Sequence, residues 1–156
     1  MGVMPKKVRR LVEGRLRDRW VMVARAKAEL LEAQAAEAIE GSAAAPAMDA
    51  VRVSSGPGNR TQAWALRVLA AEEKLRQAEA WEEAFRLADK ALPWESTPEG
   101  VVAGYLWGNG MSMEECCRAT GKSRVVIRQL RDNYTAHCAL FAAAAGLITF
   151  EEGERP

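Results

Sequence analysis

The sequence has few of the residues that build metal sites and catalytic centres. Its 156 residues include one histidine, His137, and three cysteines, Cys116, Cys117 and Cys138. An odd number of cysteines without a CxxC spacing fits neither a disulfide framework nor a zinc site. The sequence therefore predicts reduced thiols, no bound metal or other cofactor, and a cytoplasmic protein.

The motifs of common enzymes and the signatures of membrane proteins are also missing. The sequence shows no nucleophile–base pair, and Gly56-Pro57-Gly58 lacks the Lys-Ser/Thr that follows in a phosphate-binding loop. Its apolar runs are too short to span a bilayer, and the basic N-terminus lacks the apolar core of a secretory signal. We therefore expect no catalytic residues and no membrane partner.

Alanine, glutamate and arginine are abundant and β-branched runs are few, which predicts an all-α fold. Apolar residues recur at helical spacing over residues 6–40 and 61–92. Glycines and prolines predict a loop over 41–61 between these helices. The expected first domain, 1–92, is thus a coiled-coil-like antiparallel pair of helices. Leu16, Val23 and Leu30 repeat every seven residues in the first helix, flanked on much the same face by Trp20, Ala24, Leu31, Ala35 and Ala38.

The predicted pair of long helices can bury its apolar stripes in two ways. The helices close on each other, or they recruit a second copy of the chain, which makes this region a candidate for homo-oligomerisation. The first helix is also basic, because residues 6–27 hold nine Lys or Arg and two acidic residues. We interpret these basic residues as a solvated helix face in preference to a nucleic-acid contact.

A second domain is predicted over residues 93–150, followed by a tail at 151–156. A helix-turn-helix pattern occupies residues 112–131, with a short helix before it. Residues that begin and end helices mark these elements. They are Thr97 before Pro98, Ser112 with Glu115 as a capping box, Gly121 in the turn, and Ser123 before the second helix.

The second helix of this pattern carries side chains suited to the major groove of DNA. Val126, Ile127 and Leu130 are expected to hold it against the first helix. Arginine and glutamine read base edges through pairs of hydrogen bonds, so Arg124 and Arg128 are expected to read bases. Neighbouring polar and basic groups are expected to bind phosphates. The candidate DNA-binding residues are Arg118, Lys122, Ser123, Arg124, Arg128, Gln129 and Arg131.

The order of these elements resembles region four of sigma factors. The resemblance is carried by Leu92-Pro93, by residues 101–107 and by residues 110–124, although Thr120 stands where such motifs usually place an apolar residue. The long basic helix followed by Val51-Arg52-Val53-Ser54-Ser55-Gly56 is similar to late-gene transcriptional regulators of the RinA and ArpU type, from phages and prophages of Gram-positive bacteria.

This resemblance implies a recognition helix that starts at Ser123 and adds Val125 to the DNA-contacting residues. It also implies double-stranded DNA near a promoter as the main partner, RNA polymerase as a further one, and the cytoplasm of a bacterial host cell. We therefore expect a sequence-specific phage transcriptional regulator. Two alternatives stay open, which are a DNA-packaging protein resembling a phage small terminase and a helical interaction module that binds no DNA.

Overall fold

The computed structural model describes residues 4–47 and 57–151, and these residues form helices and no strand. The all-α prediction is therefore confirmed. The helices are α1 (Lys6–Ala47), α2 (Pro57–Ala91), α3 (Pro98–Ala103), a π-helical turn (Gly104–Gly108), α4 (Met113–Thr120) and α5 (Arg124–Ala144).

The described residues divide into two compact units. Unit 1 comprises residues 4–19 and 80–151, and unit 2 comprises residues 20–47 and 57–79. This division differs from the boundary expected at residue 93. The difference arises because the N-terminal end of α1 and the C-terminal end of α2 belong to the same unit as the C-terminal helices. One contact between them is the hydrogen bond that Tyr134 donates to Asp89.

The two long helices pair within each unit. In unit 1 the Arg19 guanidinium lies 2.7 Å from a carboxylate oxygen of Asp89 and 3.2 Å from one of Glu82. In unit 2 the Lys74 ammonium lies 3.0 Å from the Glu29 carboxylate. Residue 29 of α1 thus pairs with an earlier residue of α2 than residue 19 does. The two helices run in opposite directions, and the predicted antiparallel pairing is confirmed.

The buried face of α1 includes the predicted seven-residue repeat, since Val23 and Leu30 are half-buried, but not the residues predicted to flank it. Leu16 is buried, but Trp20 is 58% exposed and Leu31 is 65% exposed. The face passes through Arg19, whose charge is neutralised by Glu82 and Asp89. A buried arginine breaks the apolar pattern, and the flanking residues were therefore predicted on the wrong side of the repeat. The residues buried along α1 are Val12, Leu16, Arg19, Met22 and Ala26.

The predicted loop over 41–61 is too long. Helix α1 continues to Ala47 and α2 begins at Pro57. Alanine has the highest helix propensity, and residues 43–45 are all alanine. Proline is favoured at the first helical position because its missing N–H has no helical partner there. The motif at residues 51–56 and the tail beyond residue 151 lie outside the described residues.

The short helix before the helix-turn-helix is α-helical only as far as Ala103. A π-helical turn follows, in which the Asn109 N–H donates to the Gly104 carbonyl oxygen at 2.9 Å. The ring of Trp94 lies so close to Gly104 and Gly108 that a Cβ at Gly108 would come within 2.7 Å of it. The two glycines thus let an indole ring lie directly on the helix backbone.

Helix α5 ends in a Schellman motif. Gly146 has a φ of 74°, its N–H donates to the Ala143 carbonyl oxygen, and the Leu147 N–H donates to that of Ala142. This confirms the predicted helix end at Gly146. In the part of the chain that the structure describes, no helix is both long and apolar enough to cross a membrane.

Candidate DNA-binding surface

Helix α4 begins with the predicted capping box. The Ser112 hydroxyl accepts the N–H of Glu115 at 3.2 Å, and the Glu115 carboxylate accepts the N–H of Ser112 at 3.4 Å. Each side chain satisfies a backbone donor that the first turn of a helix leaves without a partner. The first helix of the motif therefore starts at a fixed residue.

The turn between α4 and α5 is three residues long and is closed by hydrogen bonds. Gly121 adopts a φ of 68° and donates its N–H to the Cys117 carbonyl oxygen at 2.9 Å. The Thr120 hydroxyl donates to the Cys116 carbonyl oxygen at 2.8 Å and accepts the Lys122 N–H at 3.3 Å. The Thr120 hydroxyl thus bonds one backbone group before the turn and one within it. This gives a polar residue a structural role at a position that is usually apolar in such motifs.

Ser123 caps α5, as predicted. Its hydroxyl accepts the Val126 N–H at 3.4 Å. The exposed N-terminus of α5 lies beside the exposed Lys122, so partial positive charge from the helix dipole adds to a full charge. Such an arrangement suits an anion such as a phosphate.

The inner sides of the three helices form a small apolar core. Val102 of α3, Cys116 of α4 and Ile127 of α5 are fully buried against one another. These contacts fix which side of α5 faces the protein. Half-buried residues pack around the three: Tyr105, Leu106, Met113, Cys117 and Leu130.

The opposite side of α5 is exposed and basic. Arg124 and Arg128 are one helical turn apart, about 6 Å along the axis, and both are exposed. Val125, 62% exposed, and Gln129 lie beside them in the same register. We call Arg124, Val125, Arg128 and Gln129 the reading face. It is the surface that a helix-turn-helix would present to a base edge.

The cations of this region have no acidic partner among the described residues. Arg118, Lys122, Arg124 and Arg128 are all exposed and take part in no ion pair. Their charge is therefore available to a negatively charged ligand. The structure brings six predicted DNA-binding residues together at the turn and the start of α5, and Arg118 lies at the end of α4. The six are Lys122, Ser123, Arg124, Val125, Arg128 and Gln129.

Two side chains do not point where the sequence predicts. Arg131 is only 23% exposed by side chain, and its guanidinium lies 3.0 Å from Asp132 and 3.8 Å from Glu13, so it does not point outward with the reading face. Val126 does not hold α5 against α4, because it is 37% exposed. In both cases α5 is rotated so that Ile127 and Leu130, rather than Val126, face the core.

A second basic feature lies beside Arg131 and was not predicted as a site. The first turns of α1 and the middle of α5 form a shallow, open cleft of about 330 Å³, lined by Lys6, Arg9, Arg10, Glu13 and Arg131. We call it the basic cleft. The sequence shows the N-terminal charge cluster, but only the packing of α1 on α5 brings Arg131 into it.

The cysteines belong to the packing of unit 1. Cys116 and Cys138 are buried, Cys117 is half-buried, and all three are free thiols. Burial raises the pKa of both the Cys116 and the Cys138 thiol. The His137 ring lies 2.9 Å from the Asn133 carbonyl oxygen through Nδ1. Within residues 4–47 and 57–151, no three His, Cys, Asp or Glu side chains are grouped as metal ligands would be.

Comparison with known proteins gives no relative, because no family model, curated protein or solved structure matches this chain.

Proposed function

We propose that this protein binds double-stranded DNA by placing the reading face of α5 in the major groove. The observation that carries the proposal is the division of α5 into two sides. One side is buried on α3 and α4 through Ile127, and the other presents Arg124 and Arg128 without acidic partners among the described residues.

The chemistry of the reading face supports base recognition. Arginine makes bidentate hydrogen bonds to guanine, glutamine does so to adenine, and an exposed Val125 offers an apolar contact to a thymine methyl group. Arg118, Lys122 and the N-terminus of α5 would bind the flanking phosphates. Ser123 contributes through the helix start that it caps, since its hydroxyl already accepts a hydrogen bond.

We further propose that the protein is a transcriptional regulator of a phage or prophage, acting in the bacterial cytoplasm at a promoter, with RNA polymerase as a partner. This finer proposal rests on the resemblance of its sequence to sigma region four and to late-gene regulators. A small reading head gains useful specificity from a second copy or a polymerase.

A DNA-packaging role is a second candidate, favoured by the exposed apolar side chains of unit 2. Val21, Leu31, Leu66 and Leu69 are each more than two-fifths exposed. Such side chains suit association between copies of the chain, which a packaging ring needs. A ring of many subunits, measured by native mass spectrometry, would favour packaging over transcriptional regulation.

The decisive experiment is selection of bound duplexes from a random pool, followed by affinity measurements across salt concentrations. We expect an enriched sequence and an affinity that falls steeply with salt, since bound phosphates release counterions. Absent or salt-insensitive binding would contradict the proposal and favour a protein-interaction module. Immunoprecipitation of bound DNA during phage induction then separates promoters from packaging sites.

Arg128→Ala tests the reading face directly. We expect the affinity for the selected duplex to fall about ten- to a hundredfold, because one bidentate base contact is lost. The affinity for duplex of mixed sequence should fall much less. Arg17→Ala is the matched control, since Arg17 is an exposed arginine of unit 1 on α1. Equal losses on both duplexes would reduce Arg128 to a phosphate contact.

A further inference from the structure

The basic cleft carries more positive charge than its acids neutralise. Arg9 pairs with Asp132 at 3.5 Å, and Arg131 is shared between Asp132 and Glu13. Lys6 and Arg10 form no ion pair with any described residue. Two carboxylates thus serve four cations. The cleft is suited to an anion with several acceptor oxygens, which is the chemistry of a phosphate group.

The walls of the cleft are anchored. Val12 is fully buried and Met4 nearly so, which holds the first turns of α1 on unit 1. The Arg131 guanidinium is oriented by its two carboxylate partners. Arg9 and Arg131 are thus held in place before a ligand arrives and lose less freedom on binding, and this favours affinity.

The cleft lies next to the reading face. Arg131 follows Arg128 by three residues on α5, and side chains at that spacing are neighbours on a helix surface. A helix is about 10–12 Å wide and the major groove about 12 Å wide. Side chains that flank the reading face of a helix in the groove therefore lie against the phosphate backbone.

We propose that the basic cleft binds a backbone phosphate of the same duplex whose major groove α5 enters. This inference rests on the proposed function. The first turns of α1, interpreted from the sequence as a solvated face, then form a second DNA contact. It fixes the orientation of the reading face without reading sequence.

The test compares two double variants of α1 that remove the same charge. Lys6→Ala/Arg10→Ala removes the two cations of the cleft that form no ion pair with a described residue. Arg25→Ala/Lys27→Ala is the matched control, because these residues are also exposed on α1 but belong to unit 2. Binding is measured by fluorescence anisotropy with a labelled duplex of mixed sequence in a KCl series, and folding is checked by circular dichroism.

We expect the cleft variant to bind about five- to tenfold more weakly at 0.1 M salt. The slope of log affinity against log salt should shrink by about 1, the value for one lost phosphate contact. The control variant should keep the slope of the unaltered protein. Equal losses in both variants would reveal a general charge effect and overturn the inference.

Two further outcomes separate this inference from the proposed function. If the unaltered protein binds DNA and Arg128→Ala weakens it, but the cleft variant behaves normally, the cleft inference alone fails. If the unaltered protein does not bind duplex DNA, both the proposed function and the cleft inference fail. Amide shifts of residues 6–13 on titration with inorganic phosphate, with an unchanged salt slope for DNA, would mark a site for free anions and also overturn the inference.

Discussion

At the scale of single residues, unit 1 is held together by a buried polar cluster. Arg19 is 5% exposed by side chain and pairs with Glu82 and Asp89. Tyr134 is fully buried, donates its hydroxyl to Asp89, and stacks on Trp107 with ring centroids 5.8 Å apart. The cluster links α1, α2 and α5. Because its charges are paired, removal of one partner leaves another buried without compensation.

Tyr134 makes the free energy of unfolding depend on pH in the alkaline range. Desolvation by burial, with smaller contributions from Cys138 and Asp89, raises the pKa of the phenol well above its ordinary value of about 10. Between the two pKa values the unfolded chain loses a proton that the folded chain keeps. The free energy of unfolding therefore falls as pH rises above about 10, by at most about 1.4 kcal/mol per pH unit for this group.

Tyr134→Phe isolates this effect. At pH 7 we expect the variant to be less stable by about 1.5–3 kcal/mol, because a hydrogen bond to a charged group is lost. Between about pH 9.5 and 11 the difference from the unaltered protein should narrow, since phenylalanine does not titrate. Urea unfolding at several pH values measures both curves. Cys138 titrates in both proteins, so its contribution largely cancels; parallel curves would contradict the assignment.

At the scale of elements, α3 is positioned by the close approach of its glycine to the preceding joint. The Thr97 hydroxyl donates to the Pro93 carbonyl oxygen at 2.9 Å and accepts the Gly100 N–H at 3.0 Å. A Cβ built at Gly100 would lie 2.1 Å from the Pro93 carbonyl oxygen and 2.6 Å from that of Leu92. The joint between α2 and α3 therefore requires a residue without a side chain.

Gly100→Ala should lower the free energy of unfolding by more than about 2 kcal/mol, since backbone must move to admit the methyl group. Gly14→Ala is the control, because a Cβ there meets no atom within 4 Å. We expect this control to raise stability by about 0.5–1 kcal/mol, the usual gain of alanine over glycine in a helix. Thermal and urea unfolding measure both. A stabilised Gly100→Ala would show that the joint is not closely packed.

The helix ends of the candidate site could be predicted from sequence because capping is local chemistry. Ser112 with Glu115, Gly121, Ser123 and Gly146 all act where the spacing of residue types predicts. Each signal depends on residues within five positions in the chain, so no knowledge of the fold was needed.

Features that depend on distant residues could not be predicted. The residues that flank the repeat of α1 were misassigned because the burial of Arg19 depends on its ion pairs with Glu82 and Asp89, more than sixty residues away. Arg131 is predicted to point outward because nothing in the local sequence shows that Glu13 lies beside it. The joint at Gly100 likewise exists only once α2 and α3 pack. Long-range charge pairing and close backbone contact leave no periodic signal in a sequence.

At the scale of the whole molecule, unit 2 presents a second apolar stripe on α1 besides its buried face. The exposed residues of this stripe are spaced by three or four, as in the seam of a coiled coil. Exposed leucines on α2, Leu66 and Leu69, add to the apolar surface. One side of α1 packs against α2, and a second apolar side of α1 stays exposed. The stripe consists of Trp20, Ala24, Ala28, Leu31 and Ala35.

We expect this stripe, together with the exposed leucines of α2, to join copies of the chain. Leu31→Glu/Leu66→Glu should shift the protein toward monomer in sedimentation velocity experiments, because a charge is costly to bury in an apolar contact. Leu11→Glu/Leu140→Glu is the matched control, since both leucines are 42% exposed and belong to unit 1. A monomer at every concentration of the unaltered protein would contradict the expectation. Association also bears on DNA binding: if two reading faces engage one duplex, the monomeric variant should lose affinity for a site with two half-sites while its affinity for a single half-site stays the same.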